Sequence, residues 1–142
     1  MGAHGTAPLL HGDITAEIIR LFLRVYDRLG FGYLESVYRN ALAHELTKAG
    51  VTFEREATID VWYDGICVGH FRADFLVEGR VIVEVKACET LVGAHREQVL
   101  NYLRGSHLEV GLLLHFGPAA KFRRVLYTND RKADLRAVTA VP

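Results

Sequence analysis

Apolar positions recur at helical spacing twice in the first third of the chain. They repeat every three or four residues from Asp13 to Leu29, and a second stripe runs from about Leu34 to Ala49. Gly30 and Gly50 follow these stretches, where helix C-caps commonly fall. The pattern predicts two helices, with Asp13 as the N-cap of the first.

From Val51 onward the period changes, and β-branched and aromatic residues replace the helical stripe. Asp64-Gly65 marks a tight hairpin turn, and Glu78-Gly79-Arg80 marks a second turn. The predicted strands are Val51–Tyr63, Ile66–Val77, Val81–Ala87, Leu108–Phe116 and Lys121–Tyr127, and a third helix is predicted over Val92–Gly105.

The order helix, helix, three strands, helix, strand, strand predicts one α/β domain with a mixed sheet. We expect residues 1–12 to form a flexible N-terminus, residues 13–128 to form the domain, and residues 129–142 to form a loosely held tail. The length of 142 residues fits one domain with a sizeable core.

Composition excludes several classes of protein. Half of the residues are apolar and 24% are charged, which argues against wholesale disorder, collagen and coiled coil. No apolar run approaches the ~20 residues of a membrane span, and Asp13 and Glu17 interrupt the one candidate signal stretch. We therefore expect a cytoplasmic location.

Seventeen basic residues balance seventeen acidic ones, so bulk charge gives no support for a nucleic-acid partner. Cys67 and Cys88 lack the spacing of a metal site, and we expect both to be free, buried thiols. Basic residues are concentrated near the C-terminus, where a solvated face and a contact surface are equally consistent with the pattern. They are Lys121, Arg123, Arg124, Arg131, Lys132 and Arg136, interspersed with Asp130 and Asp134.

Charged residues occur in a strand that should be buried on both faces. Because side chains alternate along a strand, Glu84 and Lys86 share the face opposite to Val81, Val83 and Val85. A buried charge requires a partner or a metal ion. The alternative is an ion pair between Glu84 and Lys86 at a solvated strand end.

The turn between the second and third strands decides what faces Glu84. If it closes over three residues, Glu78–Arg80, then Asp74 lies directly opposite Glu84, with Cβ atoms about 5 Å apart. Two facing carboxylates repel, and a divalent cation such as Mg²⁺ would relieve the repulsion. A two-residue turn would misalign the pair, and protonation of one carboxyl is a further alternative.

Two predicted helices offer polar residues to the same site. Gln98 and Tyr102 are four residues apart and share one face of the third helix, with His95 three residues before Gln98. Glu35 falls in the first turn of the second helix, where the dipole favours an anion. Ordinary solvated helix residues would show the same spacing.

Asp74, Glu84 and Lys86 together resemble the D…(D/E)xK motif of the PD-(D/E)xK nuclease superfamily. Two positions depart from the usual pattern. Ala73 replaces the proline of the literal Pro-Asp, and residues 115–116 are His-Phe where Asn-Phe is expected. Neither departure changes a site residue.

Two further motifs narrow the resemblance. Gln98-xxx-Tyr102 resembles the QxxxY element of the RecB-type and lambda-exonuclease-like branches, and Gly32-xx-Glu35-xx-Tyr38 resembles the small bacterial GxxExxY proteins. The resemblance covers residues 13–127. It implies a restriction-endonuclease-like core of the order αβββαβ, here with one extra N-terminal helix.

The resemblance also implies a metal site and roles for the neighbouring residues. Asp74 and Glu84 would bind Mg²⁺ or Mn²⁺, with the Val85 carbonyl as a further ligand and Glu35 acting directly or through water. Lys86 would hold or activate the attacking water and neutralise charge that develops on the phosphate. Gln98 would orient Lys86 or the water, and Tyr102 would contact a phosphate or brace Gln98.

The leading hypothesis is therefore a metal-dependent nuclease that hydrolyses phosphodiester bonds, with DNA as the expected substrate. One alternative is a nucleic-acid-binding or assembly module that keeps the fold without turnover, and another is an enzyme of RNA or nucleotides. A neutral core of this size is expected to need a second copy or a partner protein to grip a duplex.

Overall fold

The computed structural model describes residues 9–132, in which three helices flank one five-stranded sheet. The helices are α1 (Gly12–Leu29), α2 (Glu35–Lys48) and α3 (Gly93–Arg104), and the strands are β1 (Phe53–Tyr63), β2 (Ile66–Val77), β3 (Val81–Lys86), β4 (Val110–Phe116) and β5 (Ala120–Leu126). The predicted order of elements and the mixed α/β class are confirmed. No helix in this described range is both long and apolar enough to cross a membrane.

The strands are arranged in chain order, β1-β2-β3-β4-β5. The β3–β4 pair is parallel and the other three pairs are antiparallel. Parallel neighbours need a crossover connection, and α3 supplies it between β3 and β4. The carboxyl end of β3 therefore lies beside the start of the α3 segment.

The first helix begins differently from the sequence-based expectation and ends as expected. Asp13 is not the N-cap, because α1 begins at Gly12 and His11 precedes it, and this leaves Asp13 in the first turn. An acidic side chain in the first turn still suits the helix dipole. Gly30 ends α1 with a φ of 68°, a left-handed value that favours glycine.

The core lies on both faces of the sheet. On one face, Val81, Val83 and Val85 of β3 pack with buried residues of α1 and α2. On the other, Ile82 packs with Val99 and Leu103 of α3. The near-continuous apolar run of β3 thus fits a strand covered by helices on both sides.

Both ends of the chain fall partly outside the described residues. Residues 1–8 and 133–142 lie outside them, and the second of these ranges includes Asp134 and Arg136 of the basic C-terminal segment. Residues 129–132 are held against the α3–β4 connection: the Asn129 N–H donates to the Glu109 carboxylate, and the Lys132 ammonium donates to the carbonyls of Ser106 and Leu108.

Candidate active site

The β2–β3 turn closes over three residues, as the site hypothesis requires. Val77 pairs with Val81, and the Arg80 N–H donates to the Val77 carbonyl. Glu78 and Gly79 both adopt positive φ, which makes this tight connection feasible. The register is therefore the one that aligns the next polar residues of the two strands.

Asp74 and Glu84 lie just beyond the last paired residues of β2 and β3, Phe75 and Val83. The Asp74 N–H donates to Glu84 Oε1 at 3.1 Å, and the Val85 N–H donates to Asp74 Oδ2 at 2.7 Å. Side-chain carboxylates thus accept the hydrogen bonds of two backbone donors at this point. These reciprocal bonds fix both acidic side chains at one place, where the strands separate.

The pair carries more negative charge than its surroundings neutralise. Glu84 is only 4% exposed. Burial and the nearby Asp74 carboxylate raise the pKa of Glu84 to about 8. Burial also raises the pKa of Asp74, although the Val85 N–H and Arg39 oppose the shift. The site therefore favours a proton or a cation.

Lys86 is the last residue of β3 and is half-buried. Its positive charge lowers the pKa of both Asp74 and Glu84, but burial has the larger effect on each carboxyl. Because Glu84 is buried, an ion pair at a solvated strand end does not describe this residue. The ammonium and the two carboxylates instead form one electrostatic group.

Glu35 reaches the same end of the sheet from the first turn of α2. Its Oε1 accepts the N–H of Ala87, the residue that directly follows β3, at 3.1 Å. Arg39, one turn further along α2, places Nη1 at 3.4 Å from Glu35 Oε2 and at 3.9 Å from Asp74 Oδ1. Arg39 links Glu35 to Asp74, and sequence reasoning missed it, although its i,i+4 spacing from Glu35 was a usable signal.

The loop before α2 explains the other residues of the Gly32-xx-Glu35-xx-Tyr38 motif. Gly32 has a φ of 120°, which an L side chain rarely adopts. The buried Tyr38 hydroxyl donates to the Gly30 carbonyl and accepts the Tyr33 N–H. Gly32 and Tyr38 therefore shape the loop that presents Glu35.

Gln98 and Tyr102 lie on α3, which covers the face of the sheet opposite to α2. Tyr102 is buried, whereas Gln98, one turn before it on the same helix, is exposed. Burial and the carboxylates of Glu84 and Asp74 raise the pKa of Tyr102 to about 12, so its hydroxyl stays protonated. His95 caps the helix, since its Nδ1 accepts the Val92 N–H at 3.3 Å.

The acidic pair fits a divalent cation, but Glu35 does not join it in a three-carboxylate cluster. Within residues 9–132, one set of three His, Cys, Asp or Glu ligand atoms lies within 4.8 Å, and it consists of Asp60, Cys67 and His70. Glu35 is instead engaged by a backbone N–H and by Arg39. Asp74 and Glu84, whose charge is poorly neutralised, provide the oxygen ligands that Mg²⁺ prefers.

The other expectations for polar residues have mixed outcomes. Cys67 and Cys88 are free, as expected, but both are half-buried, so the expectation that they are buried was wrong. In β5, Lys121 and Arg123 are exposed, whereas the guanidinium of Arg131 lies 4.6 Å from the Tyr127 ring centroid. Part of the basic segment is therefore used in contacts within the molecule.

The sequence profile of the PD-(D/E)XK nuclease superfamily matches residues 12–125, and the chain belongs to this superfamily. Its members are generally nucleases and typically use divalent metal ions. The five-stranded mixed sheet with flanking helices is consistent with the restriction-endonuclease-like fold of this class. Asp74, Glu84 and Lys86 thus match the D…(D/E)xK motif in a chain of the superfamily that is named for this motif.

Comparison with solved structures gives independent support for the fold. The crystal structure of SSO0001 superposes with a TM-score of 0.52 at 17% sequence identity. The match covers 85% of this chain and 62% of that one. At this identity the likeness concerns the fold alone. No curated protein matches the chain.

Proposed function

We propose that this protein is a divalent-metal-dependent nuclease that hydrolyses phosphodiester bonds of DNA. The observation that supports this proposal most strongly is the position of Asp74 and Glu84, which face each other at the point where β2 and β3 separate. Lys86 follows on the same strand, and its charge acts on both carboxyls. Membership of the nuclease superfamily supports the same reaction class.

We assign the metal ligands to the acidic pair and its neighbours. Asp74 and Glu84 would hold Mg²⁺ or Mn²⁺, with the carbonyl of Val85 as a third ligand and Glu35 acting through water. When bound, the ion would supply charge stabilisation and lower the pKa of a water molecule. Arg39 would keep Glu35 and Asp74 oriented through its contacts with both.

The remaining roles belong to one cation and two helix residues. The Lys86 ammonium would hold the attacking water and offset the negative charge that develops on the phosphate. Gln98 would orient Lys86 or the water. The burial and the raised pKa of Tyr102 favour a role in which the tyrosine remains a neutral donor that braces Gln98 or contacts the phosphate.

A finer placement within the superfamily rests on two motifs. Gly32, Glu35 and Tyr38 support placement among the GxxExxY proteins, and Gln98 with Tyr102 supports the RecB-type and lambda-exonuclease-like branch. The functional unit would be residues 13–128. Since the net charge is zero, a second copy or a partner protein would add the grip that a duplex requires.

The test is a cleavage assay on single- and double-stranded DNA and RNA, with and without Mg²⁺ or Mn²⁺. Asp74→Asn and Glu84→Gln should lose both metal binding by calorimetry and cleavage. Lys86→Ala should keep the fold and the metal but lose cleavage by about 100-fold or more, the usual effect of removing a charge-stabilising group. Glu54→Gln, which removes an exposed carboxylate on β1, is the matched control and should leave both unchanged.

The same assay distinguishes the alternatives. Wild-type protein that binds polynucleotide without cutting any substrate would favour a catalytically silent binding or assembly module. Cleavage confined to RNA would keep the site and change the substrate. Cleavage that survives in Glu84→Gln would contradict the assignment of the site itself.

A further inference from the structure

The distal part of the β1–β2 hairpin carries a cluster of three metal-ligating side chains that the nuclease site does not use. Asp60 lies on β1, and Cys67 and His70 lie on β2. Each residue contributes one potential ligand atom, and these three atoms all lie within 4.8 Å of one another. We propose that this cluster binds a thiophilic divalent cation of the zinc class.

A β-bulge creates the cluster. Asp60 pairs directly with His70, so their side chains share a face of the hairpin. The register then shifts: Cys67 lies opposite Trp62, and Val68 is the extra residue on β2. In a regular strand residues three apart point to opposite faces, and an inserted residue changes this alternation. The bulge therefore brings the Cys67 thiol to His70.

The distances match a site that small side-chain movements would complete. His70 Nδ1 lies 2.8 Å from Asp60 Oδ1 and 3.8 Å from Cys67 Sγ. Ligands at the usual Zn²⁺ distances of about 2.0–2.3 Å stand roughly 3.3–3.8 Å apart around a tetrahedral ion. The Cys67–His70 spacing lies at the upper end of that range, the Asp60–His70 pair is closer than the range, and the Asp60 and Cys67 ligand atoms lie within 4.8 Å of each other.

The ligand set selects the class of ion. A thiolate, an imidazole and a carboxylate suit Zn²⁺ and its neighbours, whereas Mg²⁺ prefers oxygen ligands alone. On binding, the Cys67 thiol would release its proton to solvent and His70 would coordinate as the neutral imidazole. The fourth position would be taken by water, since three side chains are gathered here.

The cluster is accessible to solvent, and it lies next to a contact between the hairpin and α3. The side chains of His70 and Asp60 are 66% and 45% exposed, so an ion can enter from solvent. The next residue of β2, Phe71, stacks on Tyr102 with ring centroids 3.7 Å apart. A bound ion would cross-link β1 and β2 beside this contact with α3.

Cobalt provides the direct test, because a thiolate bound to Co²⁺ gives a charge-transfer absorption that oxygen ligands do not give. Titration of the full chain with Co²⁺, in excess Mg²⁺, should produce this absorption with one equivalent, and Zn²⁺ should abolish it. The single tryptophan, Trp62, pairs with Cys67 and should report the same event by fluorescence. Cys67→Ser should lose the absorption.

Variants separate this site from others. Cys88→Ser, which removes the other cysteine, should keep the absorption, and so should Asp74→Asn, so this test does not depend on the nuclease proposal. Outer-shell changes alone cost about 10–100-fold in metal affinity, so Asp60→Asn and His70→Gln should each weaken binding by at least about tenfold. Circular dichroism without metal verifies that every variant is folded. No thiolate absorption in the wild type, or an absorption unchanged by Cys67→Ser, would overturn the proposal.

Discussion

Glu84 concentrates the electrostatic cost of the candidate active site in one side chain. Its carboxyl is buried next to another carboxyl, and its pKa is raised to about 8. An unfolded glutamate titrates near 4.3. The folded protein therefore binds this proton more tightly than the unfolded chain does, and ionisation of Glu84 destabilises the metal-free fold.

The pH dependence of stability follows from this sign. The free energy of unfolding should fall as pH rises from about 4.5 to about 8, by at most about 1.4 kcal/mol per pH unit from this group. Asp74, whose pKa is also raised, acts in the same direction. In urea unfolding with a chelator present, the free energy of unfolding of Glu84→Gln should decrease less with rising pH than that of the wild type. An equal slope in Glu84→Gln and wild type would contradict this, and Glu54→Gln is the control.

The element that presents Glu35 depends on one buried hydroxyl. Tyr38→Phe removes the hydrogen bonds to the Gly30 carbonyl and the Tyr33 N–H. Loss of a partner by buried polar groups costs about 1–3 kcal/mol, and we expect that decrease in unfolding free energy by denaturant titration. Tyr33→Phe, at a half-exposed ring, should change stability by less than about 0.5 kcal/mol. Equal losses of stability in Tyr38→Phe and Tyr33→Phe would show that the Tyr38 hydroxyl does not hold the loop before α2.

The seat of α3 on the sheet depends on a glycine of β4. A Cβ at Gly111 would lie 2.5 Å from Val99 Cγ1. Overpacking of this kind costs typically about 1–3 kcal/mol, so Gly111→Ala should lower the unfolding free energy by that amount. Gly93→Ala on α3, where a new Cβ meets nothing within 4 Å, should not. Indistinguishable stabilities would show that α3 is not closely packed there.

For the whole molecule, metal binding should appear as added stability. A ligand at about 100 times its Kd stabilises the folded state by about 2.7 kcal/mol. Mg²⁺ should therefore raise the melting temperature of the wild type relative to a chelator control, and the shift should disappear in Glu84→Gln. A shift of the same size in Glu84→Gln would mean that Mg²⁺ stabilises the protein elsewhere.

Much of the fold and the acidic pair could be predicted because strong local signals agree. Gly30 and Gly50 mark helix ends, and Glu78-Gly79-Arg80 sets the register that aligns Asp74 with Glu84. Element ends differ from the predicted ones by at most two residues, as for α1, which begins one residue before Asp13. Periodicity determines the type of an element better than its last turn.

Contacts that depend on three-dimensional proximity could not be predicted in the same way. Arg39 reaches Asp74 only because α2 packs beside the end of β3. Cys67 meets His70 because a bulge changes the face of one residue, and no spacing in the sequence marks that bulge. Helical spacing places His95 on the face of Gln98, but it does not reveal that the His95 ring accepts the Val92 N–H and caps the helix.

Anomalous diffraction from crystals soaked in Mn²⁺ would locate a bound ion without relying on activity. We expect a peak between the carboxylates of Asp74 and Glu84, next to the Val85 carbonyl, and its loss in Glu84→Gln crystals. A structure in which Mn²⁺ binds elsewhere while these carboxylates retain only their present hydrogen bonds would contradict this expectation.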